Sequence, residues 1–350
     1  MLTTISWEPV RRACRLRHPI VRETLAELVG TMTLVFIGNS VIANNAVNAM
    51  NNEALGYGVA LAISVFATGG VSGGHVNPAV TVALSLAGRC QLNRVLPFVL
   101  AQYIGGFIGA ALTHGLYFDL FKKDPGRYST LYGIFATYPE LNRDFKLQNI
   151  SLGGAFLDQV MGTALLMYGI MAITDKRNTN VPKGVVPLAI GVTLFGVITC
   201  SSSNTGAALN PARDFAPRVY SYIIGYKDVF KYCDHFWWVP IVACHLGAVI
   251  GALVYLLAIE LHHPTGQHED EDKAVLDVDA DSAAAARSRR GHRGSAGPVR
   301  QGAARPYREP AYELSGRENR AYEVDDEPRA YSGRRGDSRS GRDRFADDYM

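Results

Sequence analysis

A tripeptide that occurs twice holds the residues of this chain whose types and spacing could do chemistry. The two copies are Asn77-Pro78-Ala79 and Asn210-Pro211-Ala212. Asn is favoured at a helix N-cap, and Pro suits the first helical position because the N–H that it lacks would have no partner there. Both copies therefore predict helix starts. The apolar runs that follow end near Gly88 and Tyr222, so each helix would span only about half of a ~30 Å hydrocarbon core.

Paired helix starts of this kind would select solutes rather than catalyse a reaction. Each helix N-terminus carries roughly half a positive charge, and the two Asn side chains can offer N–H groups to a central aqueous path. Such a centre repels cations, holds a water or hydroxyl by its oxygen, and opposes a continuous proton wire. The non-helical stretches Gly73–Val76 and Gly206–Leu209 would line that path, and their carbonyl groups would accept hydrogen bonds from solute hydroxyls.

Long charge-free segments surround the two motifs. Five contain no Asp, Glu, Lys or Arg and a sixth contains only Asp158; they are 28–52, 55–88, 95–118, 184–212, 236–259 and 152–174. Apolar runs of this length predict transmembrane helices. The sequence therefore predicts an all-α membrane protein with six transmembrane helices and two half-helices. We expect no enzymatic activity, cofactor or metal, because the segments contain no nucleophile–base pair or metal-ligand spacing and the five cysteines are scattered.

Matched features recur at a nearly constant separation. Gly30-Thr31 precedes Gly162-Thr163 by 132 residues, and the two tripeptides lie 133 residues apart. Each half would contain three spans and one half-helix, so the second half would enter the membrane in the opposite orientation, as an inverted repeat. The predicted organisation is an N-terminal segment 1–21, a channel domain 22–261 and a tail 262–350. Within the channel domain, repeats 22–119 and 151–261 flank an outside loop at 120–150.

Charge indicates how the chain is placed in the membrane. Arginines cluster before the first span, and such residues accumulate on the cytoplasmic side, so an even number of spans predicts both termini in the cytoplasm, with the plasma membrane as the expected location. The tail has few large aliphatic residues and is predicted to be disordered. Its balanced charges argue against a nucleic-acid partner. Its Arg-flanked serines make it a candidate site for a kinase or adaptor, and a plain solvated tail is the alternative.

Several motifs carry a family resemblance. The stretches 72–81, Ser-Gly-Gly-His-Val-Asn-Pro-Ala-Val-Thr, and 210–214, Asn-Pro-Ala-Arg-Asp, resemble the two signatures of the aquaporin (major intrinsic protein) family, and 26–31 resembles its first helix. Asp214, Arg218 and Asp158-Gln159 resemble the animal aquaglyceroporin branch. The resemblance implies an aquaporin-like right-handed bundle and a homotetramer with one pore per subunit. It also implies passive conduction of glycerol and water, with urea as a further candidate and with ions and protons excluded.

The resemblance also implies roles for individual residues. The narrowest point would be formed by Tyr57, Ile198, Ala207 and Arg213. Arg213 would donate hydrogen bonds to solute oxygens and exclude cations, and Tyr57 would give an apolar face to the solute's carbon atoms. Further pore-lining or supporting residues are expected at Glu27, Gly73, Gly74, His75, Val76, Gly206, Ala208, Leu209 and Asp214. Of these, Glu27 and Asp214 are predicted to be structural carboxylates, and protonation of His75 is a hypothesis for gating.

Two other functions stay open at the level of sequence. A water-selective channel is one, because Ile198 is bulkier than the glycine usual in glycerol channels, whereas Ala207 is smaller than the usual aromatic residue. An ion-coupled carrier is the other, and it would need embedded coupling carboxylates. Glu27, Asp158 and Asp214 are the candidates in the apolar region.

Overall fold

The computed structural model describes residues 6–48, 52–123, 131–139 and 150–264. In chain order the helices in these ranges are α1 Glu8–Cys14, α2 Pro19–Asn48, α3 Glu53–Thr68, α4 Pro78–Leu86, α5 Leu92–Leu116, α6 Phe118–Lys122, α7 Leu152–Thr174, α8 Val186–Thr205, α9 Pro211–Ile224, α10 Tyr232–His235 and α11 Val239–Ala258. Short 3₁₀ helices lie at Leu131–Ile134, Phe236–Trp238 and Glu260–His262. The predicted tail from 265 onward, and parts of the predicted outside loop, lie outside the described residues.

Five helices are long and apolar enough to cross a membrane: α2, α5, α7, α8 and the segment that contains α11. The predicted second span corresponds to α3, which has 16 residues. Its helical hydrogen bonding continues for one further turn, because Ser72 N donates to Thr68 O at 3.0 Å and Gly73 N donates to Gly69 O at 3.2 Å. With this turn α3 ends at the position equivalent to the end of α8, and the six predicted spans are complete.

Helix packing repeats between the two halves. In the first half α2 packs against α3 and α5, and in the second α7 packs against α8 and α11. Glycines allow the closest approaches, since a Cβ at Gly105 would collide with the carbonyl oxygen of Leu28, and one at Gly247 with that of Val160. Small residues are how membrane helices bring their backbones together. The Gly-xxx-Gly pairs of α5 and α11 therefore pack within the chain.

The two short helices are held by exchange between the repeats. The short helix of the first repeat, α4, packs against α11, and that of the second, α9, packs against α5. The two also contact each other. Each half-helix is thus supported by the last span of the opposite repeat, which brings the two helix N-termini together in the middle of the bundle.

Candidate functional site

Both short helices begin at the predicted Asn caps. Asn77 Oδ1 accepts a hydrogen bond from Ala79 N at 2.9 Å, and Asn210 Oδ1 accepts from Ala212 N at 3.0 Å and from Arg213 N at 3.2 Å. Extended backbone at each Asn and proline at the first helical position complete the caps. The local sequence alone accounts for this part of the site.

A reciprocal pair of hydrogen bonds joins the two caps. Asn77 Nδ2 donates to Leu209 O at 2.9 Å, and Asn210 Nδ2 donates to Val76 O at 2.8 Å. Each bond therefore runs to the residue that precedes the opposite Asn. An amide nitrogen carries two hydrogens, so one N–H of each Asn is left for the cavity that both residues line. The same bonds occupy the carbonyl groups of Val76 and Leu209, which the sequence had placed in the acceptor ladder.

The loops before the two caps share one unusual backbone pattern. Left-handed φ angles occur at matched positions, namely Gly73, Gly74 and Val76 in the first loop and Gly206, Ala207 and Leu209 in the second. Such angles cost about 1–3 kcal/mol each in a residue other than glycine, and they persist only where the surroundings fix them. The matched strain indicates that both loops are held by dedicated partners.

The partner of the first loop is Glu27, whose side chain is fully buried. Its Oε1 accepts from Ser72 Oγ at 2.6 Å and His75 N at 2.9 Å, and its Oε2 accepts from Val76 N at 2.7 Å and Gln102 Nε2 at 2.8 Å. Four donors satisfy the carboxylate at a depth where an unpaired charge would be costly. Glu27 supports the loop from behind and lies outside the residues that line the cavities described below.

The second loop has an uncharged partner. Gln159 lies 132 residues after Glu27. Its Oε1 accepts from Leu209 N at 3.2 Å, and its Nε2 donates to Thr205 Oγ1 at 2.6 Å. Sequence reasoning named Gln159 only as a marker of the animal branch, although the repeat offset from Glu27 pointed to its role. Neighbouring Asp158 accepts hydrogen bonds from Asn204 and Thr205.

Two cavities meet inside the bundle. The first has a volume of about 680 Å³ and extends from the cap residues to a charged mouth that includes Arg89 and Glu260. The second has a volume of about 960 Å³ and is walled in part by the 131–139 segment. Four residues line both cavities: Tyr57, Ile198, Ala207 and Arg213. These are the four positions at which the family resemblance places the narrowest point of a pore.

At this junction Arg213 retains an unused donor. Its guanidinium carbon lies 4.5 Å from the centroid of the Tyr57 ring, and Arg213 is 4 % exposed. Its Nη1 has no hydrogen-bond partner among the described residues. The Tyr57 hydroxyl donates to Asn39 Oδ1 at 2.7 Å, which fixes the ring. Because a buried N–H without a partner costs about 1–3 kcal/mol, the junction favours a passing oxygen acceptor.

A buried ion pair fixes the wall of the second cavity. Asp214 Oδ1 accepts from Arg218 Nη2 at 2.9 Å, and both side chains are fully buried. Asp214 Oδ2 accepts from the backbone N of Thr137 at 2.8 Å and from its hydroxyl at 2.6 Å. Arg218 also donates to Thr137 O at 2.8 Å and Val229 O at 3.0 Å. Asp214 therefore clamps the 131–139 segment onto α9.

His75 lines the first cavity beside the first cap. Its Nδ1 lies 3.2 Å from Thr81 Oγ1, and that hydroxyl donates to Asn77 O at 2.9 Å. Because the single hydroxyl proton is used there, a neutral His75 carries its own proton on Nδ1 and keeps Nε2 as an acceptor. The imidazole is thus held by the same helix that Asn77 caps.

The remaining sequence-predicted residues divide into lining and support. The first cavity is lined by Gly73, Gly74, His75, Asn77, Ala208, Leu209 and Asn210, and the second by Gly206. Buried positions behind these linings hold Glu27, Val76, Pro78, Ala79, Pro211, Ala212 and Asp214. The structure therefore gathers all of the predicted residues around the two cavities.

Comparison with known proteins establishes the family. The model of the family described as "Major intrinsic protein" matches residues 16–255. The chain belongs to the major intrinsic protein family. This confirms the resemblance drawn from the two motifs. Solved structures agree, since this major intrinsic protein matches an aquaglyceroporin from Plasmodium falciparum with a TM-score of 0.61 and 29% identity, over 67% of this chain and 95% of that one.

Curated relatives are similar over most of their length. Human aquaporin-9 is 37% identical over 283 residues, which cover 75% of this major intrinsic protein and 94% of the relative. Aquaporin-3 of Milnesium tardigradum is 35% identical, with coverages of 79% and 89%. Human aquaporin-10 is 34% identical, with coverages of 74% and 87%.

Proposed function

We propose that this major intrinsic protein is a passive channel for glycerol and water, with urea as a further candidate solute. The observation that carries the proposal is the junction of the two cavities at Tyr57, Ile198, Ala207 and Arg213. A continuous route would pass the Asn pair and this junction. Similarity to a structure titled as an aquaglyceroporin and to aquaporins 9 and 10 supports the same function.

The lining chemistry suits a solute with hydroxyl groups along one side of a carbon chain. Aliphatic side chains line one part of the first cavity: Leu34, Leu61, Val65, Leu166, Ile170 and Leu194. Polar groups on the same cavity include Asn77, Asn210 and Arg213. Glycerol would turn its hydroxyls to the polar groups and its carbon atoms to the aliphatic wall and the Tyr57 ring. Orientation by a few polar groups in a mostly apolar cavity is a general feature of small-molecule sites.

Exclusion of ions would follow from the charge at the same places. The N-termini of α4 and α9 meet at the Asn pair, so two positive dipole ends face the path. Arg213 adds a fixed positive charge at the junction. Together these groups would repel cations and interrupt a proton wire, because each Asn donates to a passing water rather than accepting from it.

Passive conduction is favoured over ion-coupled transport by the positions of the three candidate carboxylates. Glu27 and Asp214 are fully buried and hydrogen-bonded, and Asp158 accepts from Asn204 and Thr205. None of the three is among the described residues that line the two cavities. A coupling carboxylate would have to reach the transport path in order to bind an ion.

Several finer features belong to the same proposal. We assign Asn77 and Asn210 to the pore centre and the four junction residues to the selectivity filter. Glu27, Asp214 and the loop residues position this machinery, and no catalytic role is assigned to any of them. The proposed assembly is a homotetramer in the plasma membrane with both termini in the cytoplasm, and the proposed domain bounds are those given by the sequence.

Stopped-flow swelling of proteoliposomes tests this function. Vesicles exposed to an inward glycerol gradient should swell faster than protein-free vesicles, and a non-permeant sugar should produce no swelling. The glycerol rate should rise linearly with concentration and should not depend on a proton gradient. Water flux without glycerol flux would establish the water-selective alternative, whereas saturable or proton-driven glycerol entry would establish a carrier.

The Arg213→Ala variant assigns the flux to the junction. We expect it to conduct water while losing the rejection of small cations, which a pH- or potential-sensitive dye inside the vesicles would report. Lys227→Ala is the matched control because it removes a positive charge from the surface of the protein. Equal cation rejection in the wild type and Arg213→Ala would contradict the role given to Arg213.

A further inference from the structure

The short helix α1 and its flanks stand apart from the bundle. Every residue from 6 to 18 is exposed, and α1 buries none of its residues against the bundle. Trp7 is 63% exposed and Val10 is 48% exposed. Exposed apolar side chains of this size on an isolated helix indicate an interaction surface.

Apolar and charged residues of this segment lie on separate faces. With a helical rotation of about 100° per residue, Trp7, Val10 and Cys14 fall on one stripe, flanked by Pro9 and Ala13. The opposite arc contains Glu8, Arg11, Arg12 and Arg15. We call residues 7–17 the surface helix segment. Its pattern is typical of helices that lie along a membrane interface.

The position of the surface helix segment leaves the bilayer surface as the partner within reach. α1 ends at Cys14 and the membrane-crossing helix α2 begins at Pro19. Four residues separate them, which span at most about 14 Å when fully extended. The segment is therefore tethered beside the entry point of a span, where water, headgroups and acyl chains meet.

Charge identifies the lipid chemistry. The segment contains four arginines, at positions 11, 12, 15 and 17, and one acidic residue, Glu8. Glu8 Oε1 lies 3.4 Å from Arg12 Nε, and the two side chains are highly exposed, so this pair neutralises little of the positive charge. Basic segments beside a membrane span are attracted to anionic lipids.

We propose that the surface helix segment docks on the bilayer. Its apolar stripe enters the boundary between headgroups and acyl chains, and its arginines bind the phosphate groups of anionic lipids. The segment thereby makes the channel sensitive to the anionic lipid content of the leaflet at its N-terminal end.

Trp7 provides a direct probe in the full-length chain. The protein has three tryptophans, and Trp237→Phe with Trp238→Phe leaves Trp7 as the single emitter. This variant is reconstituted in vesicles of phosphatidylcholine, with and without phosphatidylglycerol, with brominated acyl chains as quenchers. Glycerol swelling verifies that it is folded. We expect Trp7 emission to shift to shorter wavelength and to lose intensity with brominated lipid, more strongly when phosphatidylglycerol is present.

Two further variants separate the faces. Replacing Arg11, Arg12, Arg15 and Arg17 with Gln should remove the additional quenching caused by phosphatidylglycerol, whereas Val10→Asp should reduce quenching in both lipids. Lys227→Gln with Lys231→Gln is the matched control, because it removes charge outside the segment and should leave Trp7 quenching unchanged. Unquenched Trp7 emission at a water-exposed wavelength in both vesicles would overturn the proposal, as would a phosphatidylglycerol effect that persists without the four arginines.

Discussion

Glu27 and Gln159 occupy equivalent positions in the two repeats, but one is a carboxylate and the other an amide. Glu27 Oε2 lies 2.7 Å from Val76 N, and Gln159 Oε1 lies 3.2 Å from Leu209 N. Charge-assisted hydrogen bonds are shorter and stronger than neutral ones. The loop before Asn77 is therefore held by a stronger acceptor than the loop before Asn210.

Glu27→Gln should weaken the first loop. The amide nitrogen would face donors that now find a carboxylate oxygen, so we expect a loss of about 1.5–3 kcal/mol in the free energy of unfolding. Thermal unfolding in detergent measures this loss. Glu53→Gln is the matched control, since it removes an acidic residue at the start of α3 and should cost less than about 1 kcal/mol. Equal transition temperatures for the wild type and Glu27→Gln would contradict the supporting role.

Asp214→Ala should be more damaging than the loss of a surface ion pair. It leaves Arg218 buried without its charge partner and frees Thr137, and breaking a buried pair on one side costs about 3–5 kcal/mol. Lys231→Ala breaks the exposed pair with Asp228 and should cost at most about 1 kcal/mol. Unfolding temperatures compare the two variants. A similar small loss in both would mean that Asp214 does not clamp the 131–139 segment.

Ile198→Gly should widen the junction of the two cavities. We expect the ratio of glycerol to water permeability to rise severalfold, because the removed side chain lines both cavities. Val192→Gly is the matched control in the same helix, where the side chain is 58% exposed. Both variants carry the helix cost of glycine, about 1 kcal/mol, but Val192→Gly should leave the ratio unchanged. Stopped-flow swelling reports both permeabilities, and an unchanged ratio in Ile198→Gly would remove this residue from the filter.

A titratable cluster beyond α7 predicts a pH effect on stability. Burial alone would raise the pKa of Asp175, but hydrogen bonds from Arg177 N and the Tyr255 hydroxyl, with the charge of Arg177, bring it below the ordinary value of 3.8. Because the folded pKa is the lower one, the stabilisation is complete above the ordinary pKa and is lost as pH falls through the folded pKa.

Unfolding temperatures of the wild type and Asp175→Asn, measured as a function of pH, test this effect. The difference between them should be constant from about pH 7 to 5 and should shrink in more acidic buffer, where Asp175 becomes protonated. A difference that grows with acidity would contradict the sign of the pKa shift.

Local sequence predicted the helix starts, since an Asn cap followed by proline specifies its own geometry. The spans were predictable for a different reason, because composition alone marks apolar segments. Chain ends of spans were less predictable: α2 continues through Asn44 and Asn48, which were assigned to a loop. Asn48 Nδ2 donates to Asn44 Oδ1 at 2.8 Å, so the polar side chains satisfy each other one turn apart on the helix.

Contacts between distant segments were beyond the reach of sequence. The bond from Asn77 to Leu209 and the clamp from Asp214 to Thr137 join residues whose approach depends on the packing of several helices. Neither residue type nor spacing encodes these pairings locally. The 132-residue repeat offset carried usable information about Gln159, which the charged residue Glu27 had overshadowed.

Reversible blockage at Ala207 tests the central claim most directly, because this residue lines both cavities at their junction. In proteoliposomes of Ala207→Cys, a bulky thiol-specific methanethiosulfonate should reduce glycerol and water permeability together, in proportion to the labelled fraction, and dithiothreitol should restore both. The wild type and Val192→Cys, treated in the same way, control for the native cysteines and for labelling of α8. Undiminished glycerol and water flux after complete labelling of the Ala207→Cys variant would contradict a single path through this junction.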